Sequence, residues 1–155
     1  MDILYGDITK VVLERGGSIV HQGNLLKVAG AGVALAIRNA WPRWYIHFSH
    51  KSAQLGQIDA FPVQATPPIS IITLYAQRGV GREKRQTDYQ AFSTAIQEMR
   101  ELYRMRIIPS PIYMPYKIGC GLGGGDWDVI LSIIQNYLPQ VVLVNNQEPK
   151  RNKQQ

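Results

Sequence analysis

Three stretches of this sequence combine residue types that could do chemistry. The first is His21-Gln22-Gly23-Asn24, which closes the apolar run Ser18-Ile19-Val20 with strongly polar side chains. Asn24 could bond to sugar hydroxyls, and His21 titrates near neutrality. The bland alternative is a turn asparagine and a histidine satisfied by backbone groups. The second stretch is Gly30-Ala31-Gly32-Val33-Ala34. Small residues between a strand and a helix let N–H groups approach a ligand, and a helix N-terminus adds positive partial charge. That suits a phosphate, although such glycines often serve only the geometry of a tight turn. It is not a GxxxxGK[ST] loop, which argues against a nucleoside triphosphatase.

The third stretch, Ile118-Gly119-Cys120-Gly121-Leu122-Gly123-Gly124-Gly125-Asp126-Trp127, leaves the backbone open to contact while Leu122 offers an apolar surface. Asp126 stands where a helix begins. It could cap that helix, a role worth about 1 kcal/mol, or face a ligand, and the two roles are compatible. His47 and His50 have i, i+3 spacing but no acidic or cysteine partner beside them, and read as surface. Cys120 lies between glycines without an obvious base, which is poor company for a nucleophile.

The elements that must position these residues alternate between strand and helix character. Ile3 to Tyr5 is a short strand running into Gly6-Asp7-Ile8-Thr9, and Gly16-Gly17 marks a turn before the buried strand Ser18 to Gln22. Val33, Ala36, Ile37 and Ala40 mark one face of a helix that Trp41-Pro42 stops. Ile58 to Val63 and Ile69 to Leu74 read as strands separated by Pro67-Pro68. Thr87-Asp88-Tyr89-Gln90 has the form of a capping box with Thr87 as N-cap. Behind it Tyr89, Phe92, Ile96, Met99 and Tyr103 form a core-facing stripe. Pro111 to Tyr116 gives a strand, Val129 to Tyr137 a last helix and Val141 to Val144 a last strand. This alternation predicts a three-layer α/β/α fold with a mixed central sheet. Ligands of such sheets bind beyond the carboxyl ends of the strands, where both glycine loops lie.

Bulk properties set the remaining bounds. The 155 residues, 45% of them hydrophobic, fit one domain over residues 1–146, followed by a flexible basic tail over 147–155. No apolar run reaches the ~20 residues that span a bilayer, and the N-terminus has no secretory pattern, so a cytoplasmic protein without membrane contact is expected. One cysteine excludes an internal disulfide and a cysteine-rich zinc site; no metal or cofactor is expected. Lysine and arginine exceed aspartate and glutamate by 17 to 11. That excess favours anionic partners without naming them. Arg78, Arg82, Lys84 and Arg85 crowd one loop, and Lys150, Arg151 and Lys153 lie in the tail.

Taken in order, these motifs resemble the macro domain family. The residues that carry the likeness are Gly6-Asp7-Ile8-Thr9, Ile19 to Asn24, Gly32-Val33-Ala34-Leu35-Ala36-Ile37 and Met114 to Leu122. His21-Gln22, the run Gly81 to Tyr89 and the loop Gly119 to Trp127 look most like the branch that processes ADP-ribose 1″-phosphate. The likeness covers nearly the whole chain except its last few residues.

That resemblance implies residue roles. Asp7 would accept from the adenine amino group with Ile8 packing nearby, and Asn145 would lie near the adenosine end. Asn24 would bind the distal ribose. Gly30, Ala31, Gly32 and Val33 on one side and Ile118, Gly119, Cys120, Gly121 and Leu122 on the other would embrace the diphosphate and that ribose. For cleavage of the phosphate ester, His21 would act as nucleophile or general base and Asp126 as its acid/base partner. The implied ligands are ADP-ribose and ADP-ribose 1″-phosphate. Two alternatives stand beside the phosphatase: a non-catalytic ADP-ribose reader, and an ADP-ribosyl hydrolase acting on a macromolecule. The lysine and aspartate of the related glycohydrolases are replaced here by Ala76 or Gln77 and by Gly123. A nucleic-acid or poly(ADP-ribose) module resting on the Arg78 to Arg85 loop ranks last, because no aromatic-rich surface motif accompanies it.

Overall fold

The computed structural model describes residues 1–81 and 83–147; Arg82 and residues 148–155, all but the first of the tail expected over 147–155, lie outside the described residues. Eleven elements follow in order: β1 (Ile3–Tyr5), α1 (Ile8–Arg15), β2 (Gly17–Asn24), α2 (Gly32–Ala40), α3 (Pro42–His50), β3 (Ile58–Ala65), β4 (Pro68–Gln77), α4 (Tyr89–Arg104), β5 (Ile112–Pro115), α5 (Trp127–Tyr137) and β6 (Val142–Asn145). The six strands form one sheet in the order β1-β6-β5-β2-β4-β3. Five run parallel and β3 pairs antiparallel with β4, so the sheet is mixed as expected.

Strand alternation divides the core in two. Ile19, Ile69, Ile71 and Tyr75 face one side and pack with Ile8, Val12, Ile37, Trp44 and Phe48 of α1, α2 and α3. Val20, Ile72, Leu74 and Ala76 face the other side, against Phe92, Ile96 and Met99 of α4 and Ile130 and Ile134 of α5. Helices thus cover both faces, which is the three-layer arrangement. Because β4 is buried on both faces, it reads as a nearly unbroken apolar run.

Two helices depart from the sequence expectation. Ile8 and Thr9, expected as part of a strand end, open helix α1, an element absent from the sequence expectation; the Asp7 carboxylate caps it by accepting from Thr9 N at 2.9 Å. Trp41-Pro42 does stop α2, but Pro42 then opens α3, since proline is well placed in a first helical turn. A third difference concerns α4. Its N-cap is Asp88, whose carboxylate accepts from Ala91 N at 2.9 Å, and not Thr87. The Thr87 hydroxyl is committed elsewhere, donating to Gly119 O at 2.8 Å. No helix among the described residues is long and apolar enough to cross a membrane.

Candidate functional site

All five parallel strands end on one edge of the sheet, and a cavity of about 500 Å³ opens there, above β5, β2 and β4. Its size lies within the ordinary range of small-molecule sites. One wall is the loop entering α2 (Gly30 to Ala34), the other the loop after β5 (Pro115 to Gly119 and Gly121 to Gly123), and the floor is His21, Gln22, Asn24 and Gln77. Both glycine loops singled out in the sequence therefore converge on one space. Among the described residues no aspartate or glutamate lines it, and exposed Lys117 is on its wall.

The walls are rich in unengaged main-chain donors. Helix α2 has Ala31 at its N-cap and no side-chain capping bond, so its first-turn N–H groups at Gly32, Val33 and Ala34 remain available toward the cavity. Across from them, the N–H groups of Gly119, Gly121, Leu122 and Gly123 bond to no other described residue. Gly119 sits at φ +77°, a left-handed conformation that turns the chain at the head of the loop. Two sets of main-chain donors and the positive end of a helix, around a space that no described carboxylate lines, are an arrangement suited to an anion.

The remaining sequence candidates fall into three groups. Asn24, Gly30, Ala31, Gly32, Val33, Ile118, Gly119, Gly121 and Leu122 line the cavity. Asn24 is buried, and both ends of its amide close the loop on Val28, donating to its carbonyl at 2.9 Å and accepting from its N–H at 3.1 Å. Leu122 is 48% exposed and gives the rim its apolar surface. Asp7, Ile8 and Asn145 lie along the same edge but at the ends of β1 and β6, outside the cavity wall. The Thr9 hydroxyl bonded to Asp7 at 2.6 Å holds that carboxyl below its ordinary range, Ile8 is buried in the core, and Asn145 Oδ1 accepts from Gln147 N. Cys120 turns away from the cavity, packs toward α4 and α5, and donates to Ile118 O at 3.4 Å; burial pushes its thiol pKa up.

The structure does not bring His21 and Asp126 together. The ring of His21 leaves β2 on the α3 side, 5.0 Å from the Trp44 ring and 6.1 Å from Phe48. Its Nε2 bonds to Thr73 Oγ1 at 2.8 Å, and Nδ1 is buried without a partner. Burial lowers its pKa to about 4. Asp126 caps α5 on the opposite face, accepting from Asp128 N at 2.9 Å, and is exposed and outside the cavity. The reason is strand parity: consecutive residues point to opposite faces, so His21 cannot share the side to which α5 packs. His47 does have an acidic partner, which the local sequence could not reveal. It bonds Asp59 Oδ2 of β3 at 2.7 Å.

Gln22, Gln77, Thr87 and Lys117 were not predicted as site residues. Gln22 donates to Gln77 Oε1 at 3.0 Å and to Thr87 Oγ1 at 2.8 Å. A glutamine inside a strand otherwise built for burial is the one signal that could have found it.

Comparison with known proteins bears on the fold. No protein-family model matches the chain. It is similar to an uncharacterized 17.5 kDa protein from the tk-vs intergenic region of Enterobacteria phage T4, 27% identical over 146 residues and covering 90% of each chain. Among solved structures it resembles a macrodomain protein from Streptomyces coelicolor, with a TM-score of 0.71 and 21% identity over 95% of this chain and 100% of that one. It also resembles Thermosipho africanus DarTG in complex with ADP-ribose, with a TM-score of 0.70 and 18% identity over 88% of this chain and 39% of that longer one. At these identities the likeness is one of fold, and the chain has the macrodomain fold.

Proposed function

We propose that the cavity binds ADP-ribose or a close derivative, with the diphosphate between the two glycine loops, and that the protein hydrolyses ADP-ribose 1″-phosphate to ADP-ribose and phosphate. The observation that carries the binding reading is the cavity wall itself: unengaged N–H groups at Gly119, Gly121, Leu122 and Gly123 lie across from an uncapped helix N-terminus, with no carboxylate of the described residues lining the space. Such a wall stabilises phosphate oxygens and repels nothing that carries negative charge. The adenosine would extend along the strand ends toward Asn145 and Asp7. ADP-ribose in the DarTG structure of the same fold supports this choice of ligand.

Hydrolysis rests on His21. Burial lowers its pKa to about 4, so its ring is neutral at physiological pH and would act as a weak base toward a water in the cavity. Asp126 contributes no partner to it. Main-chain donors of the Gly119 to Gly123 loop would stabilise charge on the departing phosphoryl group. A second reading, a non-catalytic ADP-ribose reader, is favoured by the tight packing of the His21 ring against Trp44 and by its engagement with Thr73. Nucleic-acid binding by the basic loop gains less support, since Arg78 pairs with Asp88 and Arg85 lies over the Tyr89 ring.

Two assays separate these readings. Calorimetry with ADP-ribose should show binding for wild type, and no heat would refute the ligand. Phosphate release from ADP-ribose 1″-phosphate should occur with wild type and be lost in His21→Gln. Binding without release would leave the reader.

A further inference from the structure

Gln22 is the hub of a hydrogen-bond chain that neither the anion site nor the proposed hydrolysis uses directly. The Thr87 hydroxyl gives its only proton to Gly119 O, so toward Gln22 it can only accept. Gln77 donates through Nε2 to Gly79 O at 2.7 Å, which leaves its Oε1 as the acceptor. Donor arithmetic therefore fixes the Gln22 amide. Nε2 serves both acceptors, while Oε1 is buried without a partner beside Gly119. Turning the amide over would set oxygen against oxygen.

Main-chain bonds run alongside. Gln86 N and Thr87 N both donate to Gly123 O, at 2.9 and 3.0 Å, and Arg78 N donates to Gln86 O at 3.1 Å. Gln22 thus ties Gln77 to Thr87, and the Thr87 hydroxyl carries the link on to the glycine loop at Gly119. This clasp also fills the space beside Gly123. A Cβ there would lie 2.3 Å from Thr87 Oγ1, 2.8 Å from Gly119 O and 3.0 Å from Gln22 Nε2. A side chain at position 123 and the clasp exclude each other.

The geometry points to Gln22 and Thr87 as positioning residues that lock the glycine loop to the 77–87 segment and hold the wall at Gly123 uncharged and free of side chains. A ligand phosphate then meets only main chain there. The ligand half of this inference rests on the ADP-ribose reading; the clasp itself does not.

Amide hydrogen exchange and calorimetry with ADP-ribose, run on wild type, Thr87→Val, Thr87→Ser and Gln22→Met, test it. Thr87→Val keeps the shape of the residue and removes both its side-chain hydrogen bonds, and should speed exchange in 119–125 and in 77–87 by about tenfold or more. Helix α1, which packs in the core on the α2–α3 side of the sheet, should keep its protection. Affinity for ADP-ribose should fall by about tenfold. Gln22→Met should reproduce both effects, and Thr87→Ser should restore both. Faster exchange in one segment only, in neither, or throughout the protein alike overturns the clasp. Loosened loops with unchanged affinity overturn its role toward the ligand. Absence of heat with wild type defeats the ADP-ribose reading, and the exchange data then still decide the clasp.

Discussion

Burial of His21 has a measurable consequence for acid stability. In the unfolded chain its pKa is the ordinary 6.5, whereas desolvation lowers it to about 4 in the fold. The folded state therefore refuses a proton that the unfolded state accepts between those values. Stability is intact above the unfolded pKa and is lost as pH falls toward the folded one. By linkage, wild type should lose about 2 kcal/mol between pH 7 and pH 5 from this group alone, approaching about 3 kcal/mol below pH 4. His21→Gln does not titrate, yet can keep a bond to Thr73 Oγ1. Urea unfolding of both proteins across that range isolates the effect, because every other group is common to both and cancels in the difference. The free-energy curves should converge as the pH falls. Parallel curves would show that the ring is solvated or already charged, and the reasoning about its burial would be wrong.

Other consequences follow from the elements that hold the site. Asp126→Ala should cost about 1 kcal/mol of unfolding free energy through loss of the α5 cap, with Asp126→Ser recovering most of it; no loss in a urea titration would contradict the capping role. Asp88→Ala should cost a similar amount, about 1 kcal/mol, at the start of α4, confirming by the same titration which residue caps that helix. Trp44 is fully buried and stacked on Phe48 at 4.9 Å, so Trp44→Ala should destabilise by about 3–5 kcal/mol, measured as the shift in urea midpoint at constant slope.

Much of the architecture was legible because local pattern and tertiary role agree. The stripe Phe92, Ile96, Met99 recurs at helical spacing and packs under the sheet as that spacing requires. Both glycine loops could be located because they follow apolar strands and precede helices. What stayed hidden depends on contacts between residues distant in sequence. Thr87 has the side chain of an N-cap and the right spacing to Gln90, but a carbonyl 32 residues away claims its hydroxyl. His47 gains Asp59 only when β3 folds beside α3. The sequence offers His21 before the first glycine motif and Asp126 after the second as an acid/base pair, but β2 turns the His21 ring toward α3 whereas Asp126 caps α5. Short amphipathic α1 escaped notice because Ile8-Thr9-Lys10-Val11-Val12 is rich in β-branched residues, and an aspartate cap outweighs that propensity.

Gly30 and Gly121 offer the most direct examination of the cavity. Both line it, neither needs a left-handed backbone, and a Cβ at either meets nothing within 4 Å. Valine at these positions would fill the proposed diphosphate space from opposite walls while leaving the fold unstressed. Titrating ADP-ribose into wild type, Gly30→Val and Gly121→Val by calorimetry, with melting temperatures alongside, should give binding to wild type and none to either variant at unchanged melting temperature. Equal binding by all three proteins would contradict a ligand held between the two loops.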